Sequence, residues 1–441
     1  MQNYKLAGDI LKGNLVIVVK KNSYDIIYAV STIPIASITR KYRNIKELKH
    51  QLSSFLVKNK IGTTFIKNIL IVTDFSDLIV NKRKYTFGYI KIGYIQKTTL
   101  NKKRLLNGIE FNIYDFNIHS IESENEKNDL REYLRMLKDK GIKEIAINSD
   151  FSTLDSNKEK DLICYINKIC PNTFTIKGSY SYNVFNFVLR QNMLFLDLML
   201  HDTASKFSKS MNEIFYDLGI KSPVYYMKGN GRLMSPNLAL TCPFFTWQSI
   251  FTSNLIGSSI HIGEENAFVL TPYNNEIKMG IIQNAFPKLD DTLSYYQGLQ
   301  IPNFYPKYTF FKTLPSNNKW NKFIKHNNIF NGSSPLINLF DKDNNNYFFN
   351  HKLINIENHP TIIAEGALNS TYELELTSTI SSSDLKFIEI EKNKLRKKAE
   401  ELLNNNNTNF QSISYDFKLI PIKYMPKNSI FLKLFVTGKI Y

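Results

Sequence analysis

The fold is decided by residues 223–280, which read PVYYMKGNGRLMSPNLALTCPFFTWQSIFTSNLIGSSIHIGEENAFVLTPYNNEIKMG. Residues 224–227 form an apolar run that stops at Gly229 and Gly231, where glycine permits the positive φ of a tight turn. A helix is predicted over residues 246–260, although its serines and threonines lower the helix propensity. Two apolar strands are predicted after it, over residues 267–270 and 278–282. A strand, a turn, a helix and a strand with short connections indicate an α/β fold with a ligand crevice.

The composition is that of a globular protein large enough for two or three domains. Of its 441 residues, 43% are hydrophobic and 22% are charged. The formal net charge of +17 has two interpretations, a lysine-rich solvated surface or a surface that binds nucleic acid or anionic membrane. The lysines are spread along the whole chain, without an arginine-rich arm or a nucleic-acid motif. The solvated surface is therefore favoured over the nucleic-acid surface.

Cysteine usage and hydropathy bear on the compartment. Three cysteines without CxxC spacing argue against a disulfide framework and against a structural zinc site. The opening segment MQNYKLAGDILKGN has no apolar signal-peptide core. The most apolar long stretch, residues 184–200, contains Arg190, Gln191 and Asp197, so it is predicted to be a buried helix and not a membrane span. A cytoplasmic location without a membrane partner is expected.

Several segments follow, in order and with similar spacing, the motifs of one enzyme family. MKGNGRLMS at residues 227–235 is close to MKGDGGLMS, and residues 243–257 keep the register of RPVETxxSGPAAS. Residues 151–159 match a loop of the type FSPVNPxHE, and residues 420–438 match the closing hairpin PLxYLPGNxxRIxVxxxG. These motifs resemble those of the A subunit of the hydantoinase/oxoprolinase family. The resemblance implies an α/β fold of duplicated actin-like (ribonuclease H-like) lobes with a cleft between them.

The resemblance also implies nucleotide loops, and at those loops the sequence departs from the family. The family's second phosphate loop, DIGGTTTD, falls without a gap on residues 271–278. Thr271 and Lys278 stand at its two aspartates. Tyr273 and Asn274 stand at its two glycines, and Asn275 stands at its first threonine. Such a site needs glycine for close approach of backbone N–H groups to phosphate, and a carboxylate to orient Mg²⁺ or water. A lysine can pair with phosphate but cannot hold a metal.

Two further nucleotide-side positions are changed. Without gaps, Gly8 replaces the aspartate of the family's first loop, DxGGTxTD, although a plain strand–turn–strand edge explains this segment equally well. Asn369 replaces the close-approach glycine of the family's NAIGAA, an adenosine-side helix start, and its side chain is expected to crowd a nucleotide. No catalytic residue, metal site or cofactor is assigned, and ATP with Mg²⁺ is implied only if catalysis is retained.

Two pairs of charged residues each carry two interpretations. Asp74 and Asp77 fall on the family's GTTHFTNAIVER segment and form either a metal or acid/base pair or, as we favour, the cap of a helix. Arg190 and Asp197 lie two turns apart in the long apolar helix. A structural salt bridge or helix-end contact is favoured there over catalysis.

The resemblance implies two lobes, at residues 1–185 and 186–441, the second with a divergent insert at about residues 284–365 and a C-terminal helix and hairpin. The insert carries an aromatic cluster at residues 304–311, interpreted as hydrophobic core in preference to a base-stacking surface.

Three functions are compatible with this sequence. The first is a divergent family member with degenerate phosphate loops that acts as a non-catalytic scaffold, subunit or regulator. The second is an ATP-dependent amidohydrolase that opens a cyclic amide of the hydantoin or 5-oxoproline type, with a site rebuilt around Lys278 and Asp74. The third is a basic nucleic-acid-associated protein. A homo-oligomer, or a hetero-oligomer with another hydantoinase-type subunit, is a further expectation, and fold inheritance does not by itself carry function.

Overall fold

The computed structural model describes residues 12–41, 45–79, 83–93, 102–273, 276–290, 294–311, 322–323, 335–339, 353–357, 359–380, 384–405, 410–422 and 429–440. Its α-helices are α1 (Lys46–Lys58), α2 (Glu124–Asp139), α3 (Asn157–Ile169), α4 (Phe187–Asp217), α5 (Pro236–Thr241), α6 (Ser249–Ile262), α7 (Pro360–Leu368) and α8 (Leu385–Asn405). Its strands are β1 (Gly13–Val19), β2 (Ser23–Val30), β3 (Ile33–Lys41), β4 (Ile66–Thr73), β5 (Lys84–Ile92), β6 (Lys102–Arg104), β7 (Glu110–Ile118), β8 (Glu144–Ser149), β9 (Thr175–Gly178), β10 (Val224–Met227), β11 (Leu233–Met234), β12 (Ala267–Tyr273), β13 (Glu276–Gln283), β14 (Phe286–Pro287), β15 (Ser294–Tyr296), β16 (Leu299–Ile301), β17 (Tyr308–Phe311), β18 (Leu336–Asn338), β19 (Leu353–Asn355), β20 (Tyr372–Ile380), β21 (Phe410–Pro421) and β22 (Ile430–Ile440).

A nine-stranded mixed sheet, sheet A, runs through the middle of the molecule in the order β21-β22-β20-β11-β10-β4-β1-β2-β3. At its centre β1 pairs parallel with β4, and β4 pairs parallel with β10. These strands read as continuous apolar runs because both of their faces are covered, as expected of buried parallel strands. The central stretch of the sequence therefore supplies an inner strand of the largest sheet.

A second sheet, sheet C, repeats the topology of part of sheet A. In sheet A the order β3-β2-β1-β4-β10 has two antiparallel pairings followed by two parallel ones. In sheet C the order β17-β13-β12-β18-β19 has the same sequence of directions. The hairpin β1–β2 thus corresponds to the hairpin β12–β13, and both belong to a mixed α/β fold of the predicted class.

Helices α6 and α7 lie between sheets A and C and cross at two glycines. A Cβ atom on Gly257 would meet the Ile362 backbone oxygen at 1.8 Å, and one on Gly366 would meet the Ser253 oxygen at 2.0 Å. Only glycine permits so close an approach of two helix backbones. The crossing fixes the position of α6, whose residues from Ser249 to Ser259 are buried.

The third sheet, sheet B, has the order β6-β7-β5-β8-β9 and is covered on one face by α2 and α3. Helix α4 packs on the other face, and its residues 189–200 are all buried, which confirms the buried helix predicted there. Strands from both sides of residue 185 join sheet A, so the predicted domain boundary does not separate the sheets. Within the described ranges, no helix combines the length and apolar character required to cross a bilayer.

Candidate functional site

The two corresponding hairpins place the predicted phosphate-loop residues in matching positions. Thr271 and Lys278 lie directly opposite each other in β12 and β13 and are the third pair of residues counted from the turn. Val18 and Asp25 hold the same two positions in β1 and β2. Asn274, Asn275 and the side chain of Tyr273 lie outside the described residues, so the predictions on them are not tested by the structure.

Gly8, the residue predicted at the first phosphate loop, lies outside the described residues, so the structure does not test that prediction. The described hairpin begins at Gly13, and its turn follows Val19. By its position in this hairpin, Asp25 corresponds to Lys278 in the hairpin of sheet C. The sequence reasoning missed Asp25.

Asp25 and Lys278 put opposite charges at equivalent places in the two hairpins. Asp25 is buried, and its Oδ2 lies 3.0 Å from Lys20 Nζ, which comes from the turn of the same hairpin. Lys278 is also buried, with its Nζ 5.5 Å from the ring centroid of Phe251 and 5.2 Å from that of Tyr308. Cation–π contacts at this range stabilise a desolvated ammonium. Lys278 is thus a packed part of the core between α6 and sheet C.

Thr271 is the partner of Lys278 across the hairpin. Its hydroxyl accepts a hydrogen bond from Asn254 Nδ2 at 3.5 Å and donates to the Pro272 carbonyl at 3.3 Å. Thr271 and Lys278 leave no carboxylate at the two positions that hold aspartate in the family's second loop. Neither side chain is a ligand that Mg²⁺ prefers, because that ion selects carboxylate and water oxygens.

The end of β4 carries a buried carboxylate that binds the start of α6. Asp74 Oδ2 accepts the backbone N–H of Gln248 at 2.8 Å, and Oδ1 accepts the backbone N–H of Ser76 at 2.9 Å and its hydroxyl at 2.6 Å. Burial, and then the nearby Asp77 carboxylate, raise the pKa of Asp74 to about 7. No helix begins at residues 74–79, so the predicted cap of a local helix is wrong. Asp74 instead accepts the N–H of Gln248, the residue that precedes α6.

Gln248 has a strained backbone and an unsatisfied side chain. Its φ of 65° and ψ of 12° lie in the left-handed region of backbone conformation. Residues other than glycine, asparagine and aspartate rarely adopt this conformation. Its side chain is fully buried, yet neither Nε2 nor Oε1 has a hydrogen-bond partner among the described residues. The helix predicted to begin at Thr246 begins instead at Ser249, because Asp74 and this residue fix its first turn.

A second buried carboxylate binds the other end of the same loop. Asp197 of α4 accepts the backbone N–H of Phe244 at 2.8 Å. Burial raises the pKa of Asp197 to about 7, and the nearby Lys177 ammonium opposes that shift. The predicted salt bridge between Arg190 and Asp197 is not formed. Instead Arg190 donates to backbone oxygens ahead of α4, which is the alternative helix-end contact.

The turn that carries the MKGNGRLMS motif closes over the same loop. A Cβ atom on Gly229 would meet the Trp247 oxygen at 2.0 Å, and the Gly229 oxygen accepts the hydroxyl of Thr252 at 2.6 Å. Lys228 forms an ion pair with Glu373 of β20, and the Asn230 amide donates to the same carboxylate at 3.3 Å. The motif thus holds sheet A to α6, and glycine is required where the two backbones touch.

Asn369 does not lie at the start of a helix. It is the C-terminal cap of α7, and its side-chain amide donates to the Glu365 oxygen at 2.8 Å. The close approach in this segment is made by Gly366, which faces α6. The helix-start interpretation of Asn369 is wrong because Pro360 begins the helix, and Asn369 satisfies a carbonyl at its end.

The aromatic cluster predicted to be core divides into two parts. Tyr305 is fully buried, and its ring centroid lies 4.5 Å from that of Trp247 and 5.7 Å from that of Phe244. Phe310 is exposed on the outside of sheet C. Across the described ranges, no three His, Cys, Asp or Glu side chains are grouped so that they could hold a metal ion.

Comparisons with known proteins identify the fold. No family sequence model matches the chain, and no curated protein matches it by sequence. The nucleotide-free structure of acetone carboxylase, from work on ATP-dependent acetone carboxylation, superposes with a TM-score of 0.67 at 9% identity, covering 97% of this chain and 88% of that one. The ATP-dependent caprolactamase from Pseudomonas jessenii superposes with a TM-score of 0.66 at 10% identity and the same coverage. The chain therefore has the fold of these hydantoinase/oxoprolinase-like enzymes, as its sequence motifs predict.

Proposed function

We propose that this chain is a divergent hydantoinase/oxoprolinase-type protein of two actin-like lobes that does not turn over ATP and acts as a scaffold, subunit or regulator. The repeated strand order of sheets A and C supports the two lobes. The structural similarity to two ATP-dependent enzymes supports the ancestry. Fold similarity does not carry the activity, which depends on the chemistry of the loops.

The observation that carries the proposal is the pair Thr271 and Lys278. Four positions in the two hairpins correspond to the family's loop aspartates, and only Asp25 among them is a carboxylate. Asp25 is paired with Lys20, and Lys278 packs its ammonium against two aromatic rings. These described residues do not fit ATP with Mg²⁺, because the metal would meet a buried cation where it needs an anion.

The test measures nucleotide binding and turnover separately. We expect no Mg²⁺-dependent phosphate release from ATP and no rise in the unfolding temperature with MgATP. A ligand at 100 times its Kd would stabilise the fold by about 2.7 kcal/mol, so binding would be visible. The proposal fails if the purified protein hydrolyses ATP and Thr271→Val or Lys278→Met abolishes that activity, while the exposed variant Lys206→Ala retains it.

One observation favours the alternative, an enzyme that opens a cyclic amide: one of the similar structures is an ATP-dependent caprolactamase. In that case Asp74, whose carboxyl is buried beside Gln248 and has a raised pKa, is the first residue to test as a general acid or base. Incubation with hydantoin, 5-oxoproline or caprolactam, with and without MgATP, tests this function directly. Ring-opened product that is formed by the wild type and lost in Asp74→Asn would replace the scaffold assignment with the enzymatic one.

A further inference from the structure

One edge of sheet A is formed by an unusually long strand. β21 spans Phe410–Pro421 and pairs antiparallel with β22, and no other described strand pairs with it. Globular strands average about 5–6 residues, so this edge presents far more free backbone N–H and C=O groups than is usual. Ile413, Leu419 and Ile420 also expose large apolar side chains there.

The two faces of β21 differ. Tyr415 and Phe417 face α8, where the guanidinium of Arg396 lies 5.0 Å from the Tyr415 ring centroid and Lys392 Nζ lies 5.7 Å from that of Phe417. Asp416 and Lys418 alternate with these residues and therefore point from the opposite face of the sheet. Both are exposed, and neither forms an ion pair with another described residue, although Lys418 Nζ lies 5.1 Å from the ring centroid of Phe435.

We propose that β21 pairs antiparallel with β21 of a second copy of this chain, about a two-fold axis through Phe417. In that register Asp416 of each copy lies opposite Lys418 of the other, which creates two cross-strand ion pairs. Tyr415 lies opposite Leu419 and covers its exposed side chain. Opposite charges that face each other across an antiparallel pair stabilise it, and a two-fold contact of this kind closes after two subunits.

The neighbouring registers are less favourable. An axis through Asp416 sets two aspartates against each other, and an axis through Lys418 sets two lysines against each other. If the axis shifts by half a residue, the residues that lie opposite each other have side chains on opposite faces of the sheet, which an antiparallel pair does not allow. Among these registers, the charges of β21 therefore favour the one with its axis through Phe417.

The opposite edge of sheet A offers no equivalent surface. β3 exposes Ile33 and Ile35, but Pro34 lies between them and has no N–H to donate. Continued pairing through both edges is thereby disfavoured, which is consistent with a closed dimer. The proposed dimer does not depend on the proposed loss of ATP turnover. An experiment can therefore overturn one of the two proposals and leave the other standing.

The test is sedimentation equilibrium of the full chain and two charge variants. We expect a wild-type dimer, and a dimer Kd about tenfold weaker for Asp416→Lys and for Lys418→Asp, because each variant opposes like charges twice. An equimolar mixture of the two variants should form a heterodimer, since both lysines of the first variant then lie opposite the two aspartates of the second. The double variant Asp416→Lys/Lys418→Asp should restore the homodimer.

The control is Lys158→Asp, which makes the same charge change on α3. This helix packs on sheet B and not on sheet A, so the dimer Kd should stay unchanged. Circular dichroism confirms that each variant is folded, as expected for exposed positions. The proposal is overturned if the wild type stays monomeric at high concentration. It is also overturned if a dimer forms that is indifferent to both single variants, or if their mixture shows no heterodimer.

Discussion

Asp74 accepts the backbone N–H of Gln248 at 2.8 Å, so a carboxylate at the end of β4 fixes the start of a helix 174 residues away in the chain. Asp197 accepts the N–H of Phe244 at 2.8 Å in the same loop. Two buried acids, from a strand and from a helix, therefore hold residues 244–248 between sheet A and α6. The loop is positioned by side chains that the sequence separates widely.

The first prediction concerns the pH dependence of stability and uses Asp197→Asn. The pKa of Asp197 in the folded protein is about 7, above the value of about 3.9 for an unfolded aspartate. Its favourable contribution to stability is complete below pH 4 and is lost as the pH rises towards and through 7. The free energy of unfolding of the wild type, relative to Asp197→Asn, should therefore fall by roughly 2 kcal/mol between pH 5 and pH 8.

Urea denaturation of both proteins at the two pH values measures this difference. Other titrating groups, including the nearby His201, are common to both proteins and cancel in the comparison. A difference that does not change with pH would show that Asp197 titrates near its ordinary value.

The second prediction concerns the unsatisfied amide of Gln248. Gln248→Leu removes two buried polar atoms that have no described partner, while it keeps the size of the side chain and the backbone strain. The free energy of unfolding should rise by about 1 kcal/mol, measured by urea denaturation. A loss of stability instead would mean that the amide is hydrogen-bonded in solution, to water or to another group.

The third prediction concerns the crossing of α6 and α7. Alanine normally improves a helix over glycine by about 1 kcal/mol. At Gly257 and Gly366, however, the added Cβ would lie within 2.0 Å of a backbone oxygen of the other helix. Each alanine variant should therefore lose at least about 2 kcal/mol in the free energy of unfolding.

Gly263→Ala is the matched control for these variants. It lies at the C-terminal cap of α6 with a φ of 77°, and a Cβ atom there would meet nothing within 4 Å. Its cost should be limited to about 1 kcal/mol of backbone strain. Equal effects at all three glycines would argue against the close crossing.

The fourth prediction concerns the buried guanidinium of Arg190. It donates to the backbone oxygens of Val184 and Phe185, each at 2.7 Å, and to those of Ser149 and Asp150 at 2.5 and 3.1 Å. Arg190→Met should lower the free energy of unfolding by about 3 kcal/mol or more, because these acceptors lose their donors. Chemical denaturation of Lys206→Ala, which breaks an exposed pair with Asp202, should show a change below about 0.5 kcal/mol.

Much of the fold could be predicted from local sequence patterns. The apolar run that became β10, the long buried helix α4 and the family motif at residues 227–235 are visible in the sequence because each is set by neighbours in the chain. The motif also predicted the fold that the structural comparisons confirm. Periodicity and turn residues are sufficient for such elements.

The candidate site was less accessible for physical reasons. The role of Asp74 depends on Gln248, and no local pattern links residues so far apart. Gly8 lies outside the described residues, and Asp25 was missed because no glycine marks the turn at residues 20–23. Asn369 was placed at a helix start because sequence spacing cannot tell which end of a short helix a residue occupies.

The glycine crossing has a consequence for how this protein can change through evolution. All the strands of sheet C lie between Gly257 and Gly366 in the chain, so the crossing brings together the entry and exit of an entire module. Once such ends are joined, each doubling of an intervening loop adds only about 0.6 kcal/mol of closure entropy. The loops of this segment can therefore vary in length while its two ends stay joined at the crossing.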